Sequence, residues 1–116
     1  LDKKREEESL QIAFAQDLIL EMMLAAAPDE IINVYKSQVL TKEGAEAFLN
    51  DMKLINTLKA YFSTNLNISK AAEVLNVTRN TVCARLEKIK ALTGLSPDDF
   101  NDAVKLKVLL TAIEVK

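Results

Sequence analysis

Thr78-Arg-Asn-Thr81, followed at helical spacing by Cys83, Ala84, Arg85 and Lys88, is the segment of this chain best equipped for chemistry with another molecule. The hydroxyls of Thr78 and Thr81, beside the unbonded amides of a helix start, suit a phosphate. Arg79 can pair bidentately with the major-groove edge of guanine and Asn80 with that of adenine. Cys83 and Ala84 are small enough to let a helix sit deep in a groove and touch a thymine methyl. Lys88 can meet a phosphate or remain a solvated surface residue. Arg85 can reach a phosphate or lay its stem over the core and pair with a carboxylate. Ser69 and Lys70, at the start of the preceding short helix, complete the candidate DNA-binding set.

These side chains need a particular pair of helices to present them. Ser69 is a candidate cap for a short helix ending near Leu75, and Asn76 suits a tight turn that wants a residue tolerant of positive φ. Thr78 is a candidate cap for a second helix running to about Leu92 and ending at Gly94. Ala71 and Ala72 allow the two helices to approach closely. Leu75, Val77, Val82, Leu86 and Ile89 fall on one side and can close the core between them. This is a helix-turn-helix pattern, with the second helix placed to enter the major groove of DNA.

The remaining periodicities are also helical. A helix is predicted from about Lys4 to Ala27, with Leu10, Phe14, Leu18 and Met22 recurring every four residues and no sustained heptad. Pro28 breaks it and opens a helix over 29–40 that should bury Ile31, Ile32, Tyr35 and Val39. Thr41 can cap a further helical region, with Gly44 weakening its first turn. The apolar steps Phe48, Met52, Ile55, Leu58 and Phe62 run through it, and Asn50 or Asp51 can divide it. Ser96-Pro97-Asp98-Asp99 reads as the start of a last helix carrying Phe100, Val104, Leu106, Val108, Leu109 and Ile113. The expected fold is all-α: a helical bundle with the helix-turn-helix in its C-terminal half, residues 51–116. Residues 1–50 form an N-terminal helical arm, or the end of a sensor region, suited to dimerisation.

Composition agrees and excludes other classes. Hydrophobic residues make up 49% and charged residues 28%, which favours a folded core over disorder. Glycine and proline number 2 each, too few for a turn-rich sheet protein. The net charge of −2 hides an uneven distribution. Residues 59–92 hold six basic and two acidic side chains (+4), residues 1–58 six and eleven (−5), and residues 93–116 three and four (−1). Positive charge is thus concentrated on the candidate motif. The chain has no His and a single Cys, which leaves it without the usual general base, a disulfide or a zinc site. No cofactor-binding motif or glycine-rich phosphate loop is present, so an enzyme is not expected. The apolar run 18–27 carries Glu21 and is too short to span a bilayer. A cytoplasmic location is expected, and the absence of an initiating Met points to a piece of a longer protein.

Several segments together carry a resemblance: Leu54-Ile-Asn-Thr-Leu-Lys-Ala-Tyr-Phe62, Asn67-Ile-Ser-Lys-Ala-Ala72, Arg79-Asn-Thr-Val82, Arg85-Leu86 and Leu92-Thr-Gly-Leu95. They resemble the C-terminal helix-turn-helix domain of PucR-type (sugar-diacid-regulator-like) bacterial transcription regulators, which is itself similar to the DNA-binding end of the nucleoid protein Fis. The resemblance implies sequence-specific binding of double-stranded DNA by a homodimer, with an effector-sensing region towards the N-terminus and the effector itself unspecified. The family usually places His where this chain has Thr78, and bulky or basic residues where it has Cys83 and Ala84. Contacts at those three positions are therefore not carried over. The competing expectation is a helical protein-interaction or oligomerisation module that does not bind DNA.

Overall fold

The computed structural model describes residues 18–116, and among them every regular element is a helix. Residues 18–26 form α1, followed by α2 (Asp29–Val39), α3 (Ala45–Leu49), α4 (Met52–Ser63), α5 (Ile68–Leu75), α6 (Arg79–Thr93) and α7 (Phe100–Val115). The expected long first helix is described only over its last turns; its start lies outside the described residues.

Local chemistry sets most of the breaks. Pro28 precedes α2, with Asp29 and Glu30 in its positive first turn. Asp51 divides α3 from α4, its carboxylate accepting from the amides of Lys53 at 3.0 Å and Leu54 at 3.3 Å. That break resets the phase of the buried stripe. The inward positions of α4 are Leu54, Ile55, Thr57, Leu58 and Tyr61, while Met52 is exposed, contrary to an uninterrupted step from Phe48.

Three expected caps fall elsewhere. Thr41 caps nothing; α3 starts after Gly44 without a side-chain cap. Gly44 does more than weaken a turn, because a Cβ there would lie 2.7 Å from the Leu92 carbonyl oxygen. Glycine is what allows the start of α3 to press against the end of α6. The cap of α5 is Asn67, whose Oδ1 accepts from the amide of Lys70 at 3.0 Å, and Ser69 is already inside the helix. Asn65 and Leu66, both at positive φ, turn the chain so that it enters α5 at Asn67. At the last helix Asp99, rather than Ser96, accepts from the Asp102 amide at 3.1 Å. The Ser96 hydroxyl instead bonds the Asp98 carboxylate, and the Ser96 amide donates to Asp102 at 3.0 Å. A carboxylate is the stronger acceptor for an unbonded helix amide, and here two of them bracket the turn.

Helix α4 lies at the centre, packing on α3, α5, α6 and α7, while α2 rests on α7. One core cluster joins Val39, Phe48, Leu54, Leu58, Ile89, Leu106 and Leu109. A smaller one joins Ala60, Tyr61, Ala71, Ala72 and Val82 between α4, α5 and α6. Each fully buried Leu or Phe contributes roughly 1.5–3 kcal/mol. Tyr35 ties α2 to α7 by donating to the Lys105 carbonyl at 2.8 Å, and partial burial raises its phenol pKa above the ordinary value. Ile31, expected inside, is exposed, as are Phe100 and Val104 of the last helix. Ile31 sits on the side of α2 away from the buried Ile32 and Val39, and Phe100 opens α7.

Candidate nucleic-acid interface

Two apolar contacts hold α6 from beneath. Val82 and Ile89 are fully buried, Val82 against the alanines of α5 and Ile89 in the main core. Ala71 and Ala72, 0% and 4% exposed, pack between α4, α5 and α6, as the close approach expected from their small side chains requires. Between the helices Asn76 adopts φ 55 and ψ 46, the left-handed turn conformation expected of it. The amide of Val77 then returns to the Ala72 carbonyl at 3.0 Å.

The amino end of α6 points into solvent. Thr78 caps it, its hydroxyl accepting from the Thr81 amide at 3.2 Å and sharing a 2.9 Å hydrogen bond with the Thr81 hydroxyl. The Val82 amide is taken by the Thr78 carbonyl. Since the leading amides of a helix have no partner within it, those of Arg79 and Asn80 remain for an outside acceptor. Both side chains are exposed, as are those of Cys83, Ala84 and Lys88; Thr81 is half-buried. Ser69 and Lys70 lie exposed in the first turn of α5. Their second-residue and third-residue positions put them near that helix's own start, with the Lys70 amide already committed to Asn67.

Arg85 is different. It is half-buried, and its Nη1 donates to Thr57 Oγ1 at 3.3 Å, while that hydroxyl donates to the Lys53 carbonyl at 2.7 Å. Thr57 is fully buried, so Arg85 supplies the second partner that its oxygen needs. Arg85 thus meets a hydroxyl of α4, where one of its two readings expected a carboxylate partner.

Two exposed positions of the outer surface, Glu87 and Ala91, fall outside the candidate set. Ala91 lies exposed on the stripe that Asn80, Ala84 and Glu87 define at spacings of four, three and four. Glu87 sits in the middle of that stripe. The i+7 and i+11 steps from Asn80 were the signal available for Glu87 and Ala91. Beside α6 a recess of about 140 Å³ is lined by Tyr61, Cys83, Glu87, Lys90 and Asp98, among others. There burial, then the nearby Asp98, raises the Tyr61 phenol pKa, and the Ser96 hydroxyl bond is the main cause lowering that of Asp98. Neither the Lys59–Glu114 pair nor the Lys116–Asp29 pair at 3.1 Å draws on Arg79, Lys70 or Lys88, while Lys90 acts on the nearby Asp98. The positive charge of Arg79, Lys70 and Lys88 is therefore left available.

A short helix and a longer one, joined through a left-handed asparagine and backed by a third, define a helix-turn-helix domain. Residues 54–112 match the family described as the PucR C-terminal helix-turn-helix domain, and the chain belongs to it. It is a DNA-binding domain of the transcription-regulator kind. The chain is 33% identical over 101 residues to the purine catabolism regulatory protein of Bacillus subtilis (strain 168), covering 87% of this chain and 18% of that protein. It is also 33% identical over 99 residues to the carbohydrate diacid regulator of Escherichia coli (strain K12), covering 84% and 25%. The same identity holds over 97 residues with the uncharacterized protein YsfB of Bacillus subtilis (strain 168), again covering 84% and 25%. The chain thus spans a quarter or less of the length of these relatives. No solved structure matches it.

Proposed function

We propose that this chain is the sequence-reading end of a longer, effector-responsive transcription regulator, which lays α6 in the major groove of double-stranded DNA. The observation that carries this reading is the open amino end of α6, with Arg79, Asn80 and two amides facing solvent. In this arrangement Arg79 and Asn80 meet base edges, and Cys83 and Ala84 give close approach. Thr78 and Thr81 shape the helix start for a phosphate, and Lys88 meets the backbone one helical stretch further on. Ser69 and Lys70 approach the backbone from α5. Arg85 holds α6 in place from within.

The protein acts as a homodimer, placing two copies of α6 in successive grooves about 34 Å apart. Exposed apolar side chains on α1 and α2 support self-association: Leu18, Ile19, Met22, Met23, Ile31 and Val34 are all more than half exposed. The work is done in the cytoplasm, where DNA is met directly. No helix among the described residues is long and apolar enough to cross a membrane.

Fluorescence anisotropy of a labelled duplex, titrated at several salt concentrations, tests the reading. Binding should weaken steeply as salt rises, because displaced phosphate counterions drive it. Arg79→Ala should cost about 1–3 kcal/mol on the preferred sequence and relax one base position. Binding indifferent to both salt and Arg79→Ala would favour a protein-interaction module instead.

A further inference from the structure

The outer stripe of α6 carries one feature that phosphate attraction does not account for, and it rests on the proposed placement of α6 in the groove. Asn80, Ala84, Glu87 and Ala91 follow one another at helical spacing, and all are exposed. Two of the four are alanine, so Glu87 is the long side chain standing between two flat turns. It forms no ion pair, although Lys88 and Lys90 lie close in sequence, and it accepts no hydrogen bond within the described residues. An unpaired carboxylate at the centre of a surface that meets a polyanion weakens binding to every sequence unless something there donates to it. In the major groove the exocyclic amino group of cytosine is such a donor.

We propose that Glu87 is a specificity-determining residue that accepts a hydrogen bond from the N4 amino group of a cytosine. The cytosine's place follows from helix geometry. Glu87 lies seven residues beyond Asn80, about 10 Å along the axis at the rise of an α-helix. With base pairs stacked about 3.4 Å apart, this is roughly three base-pair steps. Ala84 between them faces the intervening step, where its methyl can meet a thymine methyl. Glu87 therefore costs affinity on most sequences and recovers it where a cytosine stands about three steps from the adenine read by Asn80. Such an arrangement gives discrimination through a penalty on wrong partners.

The test is selection of bound sequences from a random duplex pool with the full chain, its E87A variant and its E87Q variant, each first checked for an unchanged thermal transition. The wild type should enrich cytosine at that one position. E87A should lose the enrichment, about tenfold in relative affinity, while keeping salt-dependent binding and every other preferred base. E87Q should move the preference at that position towards adenine, since an amide both donates and accepts. An unchanged base profile in E87A would overturn the proposal. So would a uniform rise in affinity for all sequences, which would make Glu87 a source of phosphate repulsion only. Failure of the wild type to bind any duplex is a separate result: it refutes the placement of α6 in DNA and this inference along with it.

Discussion

The part of the molecule from α3 to α7 and the part formed by α1 and α2 are both rich in apolar sequence and use it differently. In the first, Phe48, Leu54, Leu58, Ile89, Leu106 and Leu109 are sealed in one cluster. In the second, Ile32 and Val39 are buried against the rest and Leu20 and Leu24 are half-buried, yet Leu18, Ile19, Met22, Met23, Ile31 and Val34 are exposed. A helix that is apolar nearly all round expects contacts on more than one side. The C-terminal region closes most of its core with its own helices, taking Val39 and Tyr35 from α2, and the N-terminal pair leaves an apolar surface uncovered. The difference separates a largely sealed helix-turn-helix domain from an exposed apolar surface, the one proposed above to meet a second subunit.

Substitutions can break that comparison, and the largest effect belongs to the sealed cluster. Leu58→Ala, at a position 0% exposed, should destabilise the fold by about 2–5 kcal/mol in chemical denaturation, since the site is ringed by α3, α6 and α7 and cannot collapse freely. An intermediate effect is expected at the turn ahead of α6. Asn76→Ala should cost about 1 kcal/mol, because alanine lacks asparagine's tolerance for φ 55, whereas Asn76→Gly should remain close to wild type. The smallest effect on stability belongs to the outward face of α1. The double substitution Ile19→Ser and Met22→Ser should change folding free energy by less than about 0.5 kcal/mol. Sedimentation should nonetheless show weaker self-association if that face joins two subunits. A large loss of stability there would mean that α1 belongs to the same core as α4, and the contrast between the two regions would fail.

How far these regions could be read in advance depended on how local the deciding interactions were. Asn76 and Thr78 declared themselves because a left-handed turn and a helix cap are settled by one residue and its near neighbours. A break at Asn50 or Asp51 was legible too, and Asp51 makes it, though it shifted the buried stripe of α4 and turned Met52 outward. Where two polar residues competed for one helix start, spacing alone could not choose. Asn67 displaced Ser69 because Asn65 and Leu66 redirect the chain, and Asp99 displaced Ser96 because a carboxylate outcompetes a hydroxyl. Gly44 was misread for another reason: its importance lies in the backbone of Leu92, distant in sequence. In the candidate interface the exposed residues followed from helical spacing. The hydrogen bond of Arg85 reaches the buried hydroxyl of Thr57, 28 residues away, and no local pattern announces that pairing.

The central claim is that Arg79 reads the major-groove edge of a base. It is tested most directly by replacing single guanines of the preferred duplex with 7-deazaguanine, which lacks the N7 acceptor and leaves pairing intact. For the wild-type chain one replacement should weaken binding by about 1–3 kcal/mol, and for Arg79→Ala that same replacement should have no further effect. Equal losses in both proteins, or no loss at any guanine, would contradict the claim.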